Sequence, residues 1–383
     1  MTYKKMAEIM LIIAIVLSNL SQIPALFGNS IIKLGYTVSW LLALTILLIT
    51  NKFKLYIRYL LLPIVFDYFC LVGAVFGKGY LMSNLFVPIN MSVFILIVGI
   101  LVGSCGDDNT IRKIAIWYII TSVIVGIVLY LTVFRGVDWS GSSVYLYKSK
   151  NSAGQFLLSG LILLITIFYK QNKVISLPII GLYISLILMM KSRTTIVALA
   201  IYLIYFIFGV VESRRERNVY LILLIVFILL IIFQPDLNNF IIKQIIFNNR
   251  ETSINSLSSG RDVHWKRFSQ EFGEYMFVGT GGTYLESMPL AVLFSYGIIG
   301  GIPALLFAIE PFWYAVKCLR KKGRDLYIIL LLSISMVMLI NGIFEEQAPF
   351  GPGVKCYLTW LLFGMLIGRN INELKKYNGD SYE

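Results

Sequence analysis

Runs of about twenty apolar residues recur along the chain, and nothing else constrains its folding as strongly. The stretch from Leu326 to Phe344 has no charged side chain, and neither has the stretch from Tyr220 to Phe233. In a bilayer such a run has to be helical, because a helix satisfies its backbone polar groups internally where no water can do so. Of the 383 residues, 58% are hydrophobic and only 14% are charged. Soluble domains carry about 25% charged residues, and the mean hydropathy here is +0.81. The expected fold is all-α, a polytopic transmembrane bundle of about twelve helices. No long hydrophilic block divides the chain, so residues 1–383 form one integral membrane domain. Residues 234–285 form one long loop within it. No internal repeat is visible, which speaks against an inverted-repeat transporter.

The expected spans lie near Met6–Ile23, Leu34–Thr50, Tyr59–Phe76, Leu85–Ser104, Ile114–Phe134 and Ala153–Tyr169. Six more lie near Val174–Met190, Thr195–Val211, Tyr220–Phe233, Met288–Val316, Leu326–Phe344 and Val354–Ile367. The tenth carries Pro289, Pro303 and Pro311, which predict kinks. Basic residues collect in alternate short loops, among them Lys52, Lys54 and Arg58, then Arg214, Arg215 and Arg217, then Lys321, Lys322 and Arg324. By the positive-inside rule those loops and both termini are cytoplasmic. The net charge of +13 follows from this bias, and it forms no stripe suited to nucleic acid. Lys4 and Lys5 before an apolar run resemble the start of a signal peptide, but no small-x-small site follows, so the run is read as an uncleaved first helix. Cys70, Cys105, Cys318 and Cys356 are too far apart for a disulfide framework or a zinc-ligand spacing. No metal or cofactor is expected.

The polar intervals on the opposite, outer side carry the candidate chemistry. Arg193, in Lys191-Ser192-Arg193-Thr194, opens a membrane helix. It is either a snorkelling interface residue or a phosphate contact, since a guanidinium forks onto phosphate oxygens beside a helix N-terminus. Arg261 follows Gly260 and precedes a helical stretch, Asp262 to Tyr275, with an apolar stripe at Trp265, Phe268 and Phe272 and a cap at Ser258 or Ser259. It is either an interface anchor or part of a site, with Arg267 nearly two turns along the same helix. His264 is the only histidine and has no carboxylate partner at fixed spacing, so a surface or structural duty is favoured. Glu286 stands where the long loop meets the tenth span. It is either a helix-start acid or a general base raised by limited water. Gly279, Gly281 and Gly282 before it read as a close-packed turn or a phosphate cradle.

A basic, aromatic loop runs from Arg135 through Trp139, Tyr145, Tyr147, Lys148 and Lys150 to Asn151. It fits a glycan-phosphate ligand or an interfacial belt. The Glu345-Glu346 pair would contact sugar hydroxyls or shape its turn. Asp67 is an acid inside a span, either functional or paired with a hydroxyl or a base. Residues from Asn238 to Asn249 alternate as an amphipathic helix lying in the interface, able to wall a lipid entrance.

Taken together these residues resemble the bacterial O-antigen polymerase and O-antigen ligase superfamily, including the polymerases of capsular and exopolysaccharide repeat units. The shared features are the turn at Lys191–Thr194, then Gly260, Arg261 and Trp265, then Gly279 and Gly281. They continue with Glu286 ahead of Gly297, Ile298 and Gly300. Lys150-Asn151 before the sixth span and Phe344-Glu345-Glu346 also look like polymerase members. The likeness covers the C-terminal two-thirds best. It implies a GT-C-like membrane glycosyltransferase that works without metal on an undecaprenyl-diphosphate-linked glycan donor, with a glycan hydroxyl as acceptor. A chain-length regulator protein and membrane lipid are the further partners implied. Arg193 and Arg261 would bind the diphosphate and Glu286 would serve as base. Arg135, Lys148, Lys150, Lys191, Arg267, Glu345 and Glu346 would line the substrate. The ligases carry a histidine where this chain has Glu286, which favours polymerase. The competing expectations are ligation of a finished glycan to a lipid or protein, and a non-enzymatic flippase.

Overall fold

The computed structural model describes residues 3–26, 28–50, 57–105, 108–133, 150–169, 171–246, 261–351 and 356–379. All regular structure among them is helical. The helices are α1 (Tyr3–Leu20), α2 (Ser30–Thr50), α3 (Leu61–Val75), α4 (Phe86–Ser104) and α5 (Asp108–Val133). Then come α6 (Lys150–Leu163, running on to Phe168), α7 (Lys173–Met189), α8 (Arg193–Tyr205, running on to Val210) and α9 (Arg214–Phe233). The last five are α10 (Pro235–Asn238, running on to Ile246), α11 (Arg261–Tyr275), α12 (Met288–Lys322), α13 (Leu326–Phe344) and α14 (Tyr357–Gly379). Eight of the described helices are long and apolar enough to cross a membrane, and α3 and α7 are shorter apolar helices.

Local signals set several helix starts. Asn172 accepts from the amide of Ile175 to cap α7, and Ser213 accepts from Glu216 to cap α9 in the Ser-x-x-Glu pattern of a capping box. Asp325 caps α13 through the Tyr327 amide at 2.9 Å. Packing then separates helices of similar composition. The described residues of α9 are all unburied, whereas twelve residues of α6 are buried, Gln155 and Ser159 among them. An apolar run thus becomes a lipid-facing wall or a central post according to its neighbours, because the bilayer itself gives apolar side chains no reason to turn inward.

The tightest helix pair is α4 against α14. Gly99 and Gly103 face Gly364 and Gly368, four residues apart on each helix. A Cβ on Gly103 would fall 2.1 Å from the Met365 carbonyl oxygen, and one on Gly364 would fall 2.3 Å from that of Leu96. Small residues at that spacing let two backbones touch, and close packing is what holds helices together in lipid.

The prolines of α12 do not mark its break. Pro289 sits in the first turn, where its missing N–H costs nothing, and the non-helical residue is Gly297 at φ 63°. The segment 276–281 lies across the helix there and takes over its hydrogen bonds. The Ile298 amide donates to Met276 and the Ile299 amide to Phe277, while Phe294 and Ser295 accept from Thr280 and Gly281, at 2.8 to 3.2 Å. Two helical bonds, 298 to 294 and 299 to 295, are exchanged for four to the crossing segment. A break at this depth is tolerable only because every freed group finds a partner. A Cβ on Gly297 would lie 2.3 Å from the Phe277 carbonyl, and one on Gly279 2.4 Å from that of Ser295.

Candidate functional site

The break in α12 fixes the approach to Glu286. The segment 276–281 is anchored on the break, the Tyr80 hydroxyl donates to the Val278 carbonyl, and the chain then extends through Thr283 to Ser287 before α12 begins. The amides of Gly279, Thr280 and Gly281 donate to Tyr275, Phe294 and Ser295. The glycine turn is therefore a clasp between two backbones and not a phosphate cradle.

Arg261 is the first residue of α11. Its Nε lies 3.2 Å from Glu286 Oε2, and its terminal nitrogen donates to the Phe344 carbonyl at 3.1 Å. The guanidinium sits 5.7 Å from the centre of the Phe344 ring. Residues far apart in sequence thus meet at the C-terminal end of α13. The other oxygen of Glu286 accepts from the Tyr284 hydroxyl at 3.3 Å, and His264 packs edge-on against Tyr284 at 5.8 Å. Burial first, and then the negative charge of Glu286, Glu346 and Glu345, push the Tyr284 hydroxyl above its usual range. Those three carboxylates accordingly share one neighbourhood.

A second chain of contacts reaches the same place from α6 and α8. Asn151 donates to Glu345, Ser192 donates to Asn151 Oδ1 at 2.7 Å, and the hydroxyls of Ser192 and Thr195 lie 2.8 Å apart. Gly154 lets α8 come this close, since a Cβ there would fall 2.5 Å from the Thr195 hydroxyl. Lys150 and Arg193, each half-buried, are the first residues of α6 and α8 beside this network. Lys191 precedes it with φ 49°, a left-handed conformation strained for a side chain of this size, and donates to Gln244 of α10 at 3.3 Å. The amphipathic helix expected near residues 238–249 is thereby tied to the turn carrying Arg193. Residues 247–249 lie outside the described residues.

Glu345 and Glu346 part company at this point. Glu345 is half-buried and held by Asn151, whereas Glu346 is only 8% exposed and turned inward toward Asn84. Burial raises its carboxyl to about 7, with the hydrogen bond to Asn84 opposing and the charge of Glu345 adding to the rise. Gln347 donates to the Asn84 carbonyl at 3.0 Å and locks the turn onto the start of α4.

Arg267 pairs with Glu271 at 3.2 Å on its own helix and lies over the Phe294 ring, away from the Arg261 cluster. Phe268 and Phe272 stack at 4.5 Å and pack inward, but Trp265 stays exposed, so the stripe is narrower than its spacing suggests. Asp67 accepts from the side-chain amide of Asn90 on α4 at 3.0 Å, and among the described residues no hydroxyl or base is bonded to it. Arg135 and Lys148, like the capping serines Ser258 and Ser259, lie outside the described residues. Among the described residues no group of three or more His, Cys, Asp or Glu side chains is disposed to hold a metal ion.

The arrangement combines the N-termini of α6, α8, α11 and α12 with Lys150, Arg193 and Arg261. Helix dipoles and fixed cations together favour an anion of low pKa such as a phosphate. Carboxylates in two different states stand within the same neighbourhood, one ion-paired and one buried. Sequence reasoning does not single out Tyr284 or Asn84. Neither carries a motif, and each matters only through the carboxylate it touches. No family model matches the chain, and a comparison with curated proteins gives no match. Fold and site therefore define a multi-pass helical membrane protein with an anion-suited cluster at one end of its bundle.

Proposed function

We propose that the protein is a polysaccharide polymerase of the O-antigen polymerase kind. It would join undecaprenyl-diphosphate-linked repeat units at the outer face of a bacterial cytoplasmic membrane. The observation that supports this best is the convergence of Arg261, Glu286, the Glu345-Glu346 turn and the Ser192 turn that carries Arg193, from four distant parts of the chain, at one end of the bundle.

In this reading the bond between the donor's anomeric carbon and the phosphate oxygen breaks, and its electron pair leaves with the diphosphate. Arg193 and Arg261 stabilise the charge that develops there, which is electrostatic preorganisation around a leaving group that is already good. An acceptor hydroxyl forms the new glycosidic bond and gives its proton to a carboxylate. Glu286 is released for that role when the diphosphate takes Arg261 from it. Glu346, buried and protonated up to about pH 7, can take the proton only above that pH, once it has ionised, so Glu286 carries the role at lower pH. Lys150, Lys191 and Glu345 hold the walls in register.

The test is chain length in a producing strain. Arg193→Ala and Arg261→Ala should each abolish long-chain polysaccharide while the protein stays in the membrane at its usual level. Chains of normal length in both variants would end the proposal.

A further inference from the structure

A crevice of about 720 Å³ lies beside the cluster, between α1, α2, α4, the start of α14 and the turn after α13. That volume is in the range of about 300–1,000 Å³ typical of ligand sites. None of its described lining residues carries a charge. At one end it is lined by Asn84 and Gln347, the residues that hold and follow Glu346. At the other end it reaches Trp40 and Ile95. From Val87 to Ile95 the wall descends about 12 Å along α4, at 1.5 Å per residue, which approaches half of the ~30 Å hydrocarbon core. The crevice therefore runs along one leaflet, from the level of the polar turn toward the bilayer centre. Its side is open. Leu41 of α2 and Val87 and Met91 of α4 line it and are 50%, 61% and 52% exposed, so its mouth is the seam between two membrane-crossing helices.

We propose that this crevice holds the hydrocarbon chain of the lipid-linked substrate, which enters sideways between α2 and α4 and brings its polar head to the Glu346 turn. The inference rests on the polymerase reading for the identity of the lipid. The geometry suits a chain rather than a head group. The walls are mostly apolar and uncharged, the depth is that of one leaflet, and the carboxyl of Glu346 borders only the polar end. The cations that would meet a diphosphate lie beyond that turn, where Arg261 donates to Phe344, two residues before Glu346. Each methylene that leaves water or lipid for a well-fitted wall adds contact, so a long chain docks without any specific polar grip.

The experiment is photolabelling of the full chain in phosphatidylcholine nanodiscs with a polyprenyl diphosphate carrying a diazirine in its chain. Adducts are expected on residues 36–41 and 81–95, to be suppressed by excess unlabelled polyprenyl diphosphate. The double variant V87W/M91W fills the mouth from its exposed side and should lower that labelling by roughly tenfold without moving the thermal unfolding midpoint. Labelling of α9 as strong as that of the crevice, or labelling indifferent to competitor and to the tryptophans, would overturn the proposal. So would a diazirine phosphatidylcholine that labels the crevice and is not displaced by polyprenyl diphosphate, because the occupant would then be bulk lipid. Labelling needs no glycan transfer. Competed crevice adducts in a protein that makes no polymer would therefore leave the crevice standing and remove the polymerase reading instead.

Discussion

Helix α13 has an arginine stacked at each end, and the two are built differently. At its N-terminal end Arg369 lies 4.9 Å from the centre of the Tyr327 ring and donates to both oxygens of Asp325 at 3.1 Å, with Glu373 at 3.4 Å. Asp325 is also the cap of α13, so this arginine closes a lock among carboxylates already committed to structure. At the C-terminal end Arg261 lies over Phe344 and meets one oxygen of Glu286, with a backbone carbonyl as a further acceptor. Arg369 is surrounded by negative charge that fixes it. Arg261 pairs with a carboxylate that is itself shared with Tyr284, and in the proposed function a diphosphate would replace that carboxylate. The same residue type thus closes a carboxylate lock at one end, and at the other meets a carboxylate that the proposed function would exchange for a diphosphate.

The sharpest way to break this comparison is to remove each arginine in turn. Arg261→Ala should lower glycosyl transfer by about 10²–10³, the usual cost of losing one preorganised stabilising group. Arg369→Ala should leave transfer rates within a few-fold of wild type. Radiolabelled repeat-unit incorporation by purified protein would read both, and equal losses in the two variants would erase the distinction.

The next effect is on the frame of the Arg261 end. Gly297→Ala places a Cβ against the Phe277 carbonyl at a positive φ and should cost about 3 kcal/mol or more, within the class of backbone clashes that damage proteins most. Pro303→Ala should cost far less if the break belongs to Gly297. Detergent-solubilised yield and thermal unfolding of the two variants would show it.

A smaller and pH-dependent effect is expected at Glu346. Its folded-state carboxyl titrates near 7 against an ordinary 4.5, so the folded protein keeps a proton that the unfolded chain has released. Stability is therefore greatest below 4.5 from this group, declines as the pH rises toward 7, and stays reduced above it. Glu346→Gln should stabilise the protein at pH 8 by on the order of 2 kcal/mol and by almost nothing at pH 4.5. An identical shift at both pH values would mean that burial does not act on the charge. The smallest effect is on the carboxylate lock itself. Arg369→Ala should lower stability by about 1 kcal/mol, because its ion pairs are partly exposed to solvent.

Much of the candidate site is legible in the sequence. Arg193, Arg261 and Glu286 stand out as charges at the lips of apolar helices, and the two that are linked directly, Arg261 and Glu286, form one ion pair. The turn at Lys191–Thr194 and the pair Glu345-Glu346 are equally visible, and Asn151 and Ser192 join them. The glycines at 279 and 297 are visible as positions but not as a clasp. Their meaning lies in a contact between two segments whose hydrogen-bonded residues are well separated along the chain, and spacing alone cannot register such a contact. Arg267 shows the opposite case. Its neighbour Glu271, one turn away on α11, holds it, and a charge near a motif is no guide to where its side chain is engaged.

The sequence by itself determined that the chain is helical and built for a membrane. It also determined which charges stand at helix ends, because hydrophobic run length and residue type are local properties. Only the tertiary structure decided that α12 breaks at Gly297 and not at a proline, since the break exists only where another segment supplies the lost hydrogen bonds. Only it decided that Glu345 is held at half depth while Glu346 is buried and close to neutral. Two adjacent glutamates are alike until the surrounding helices take water from one of them.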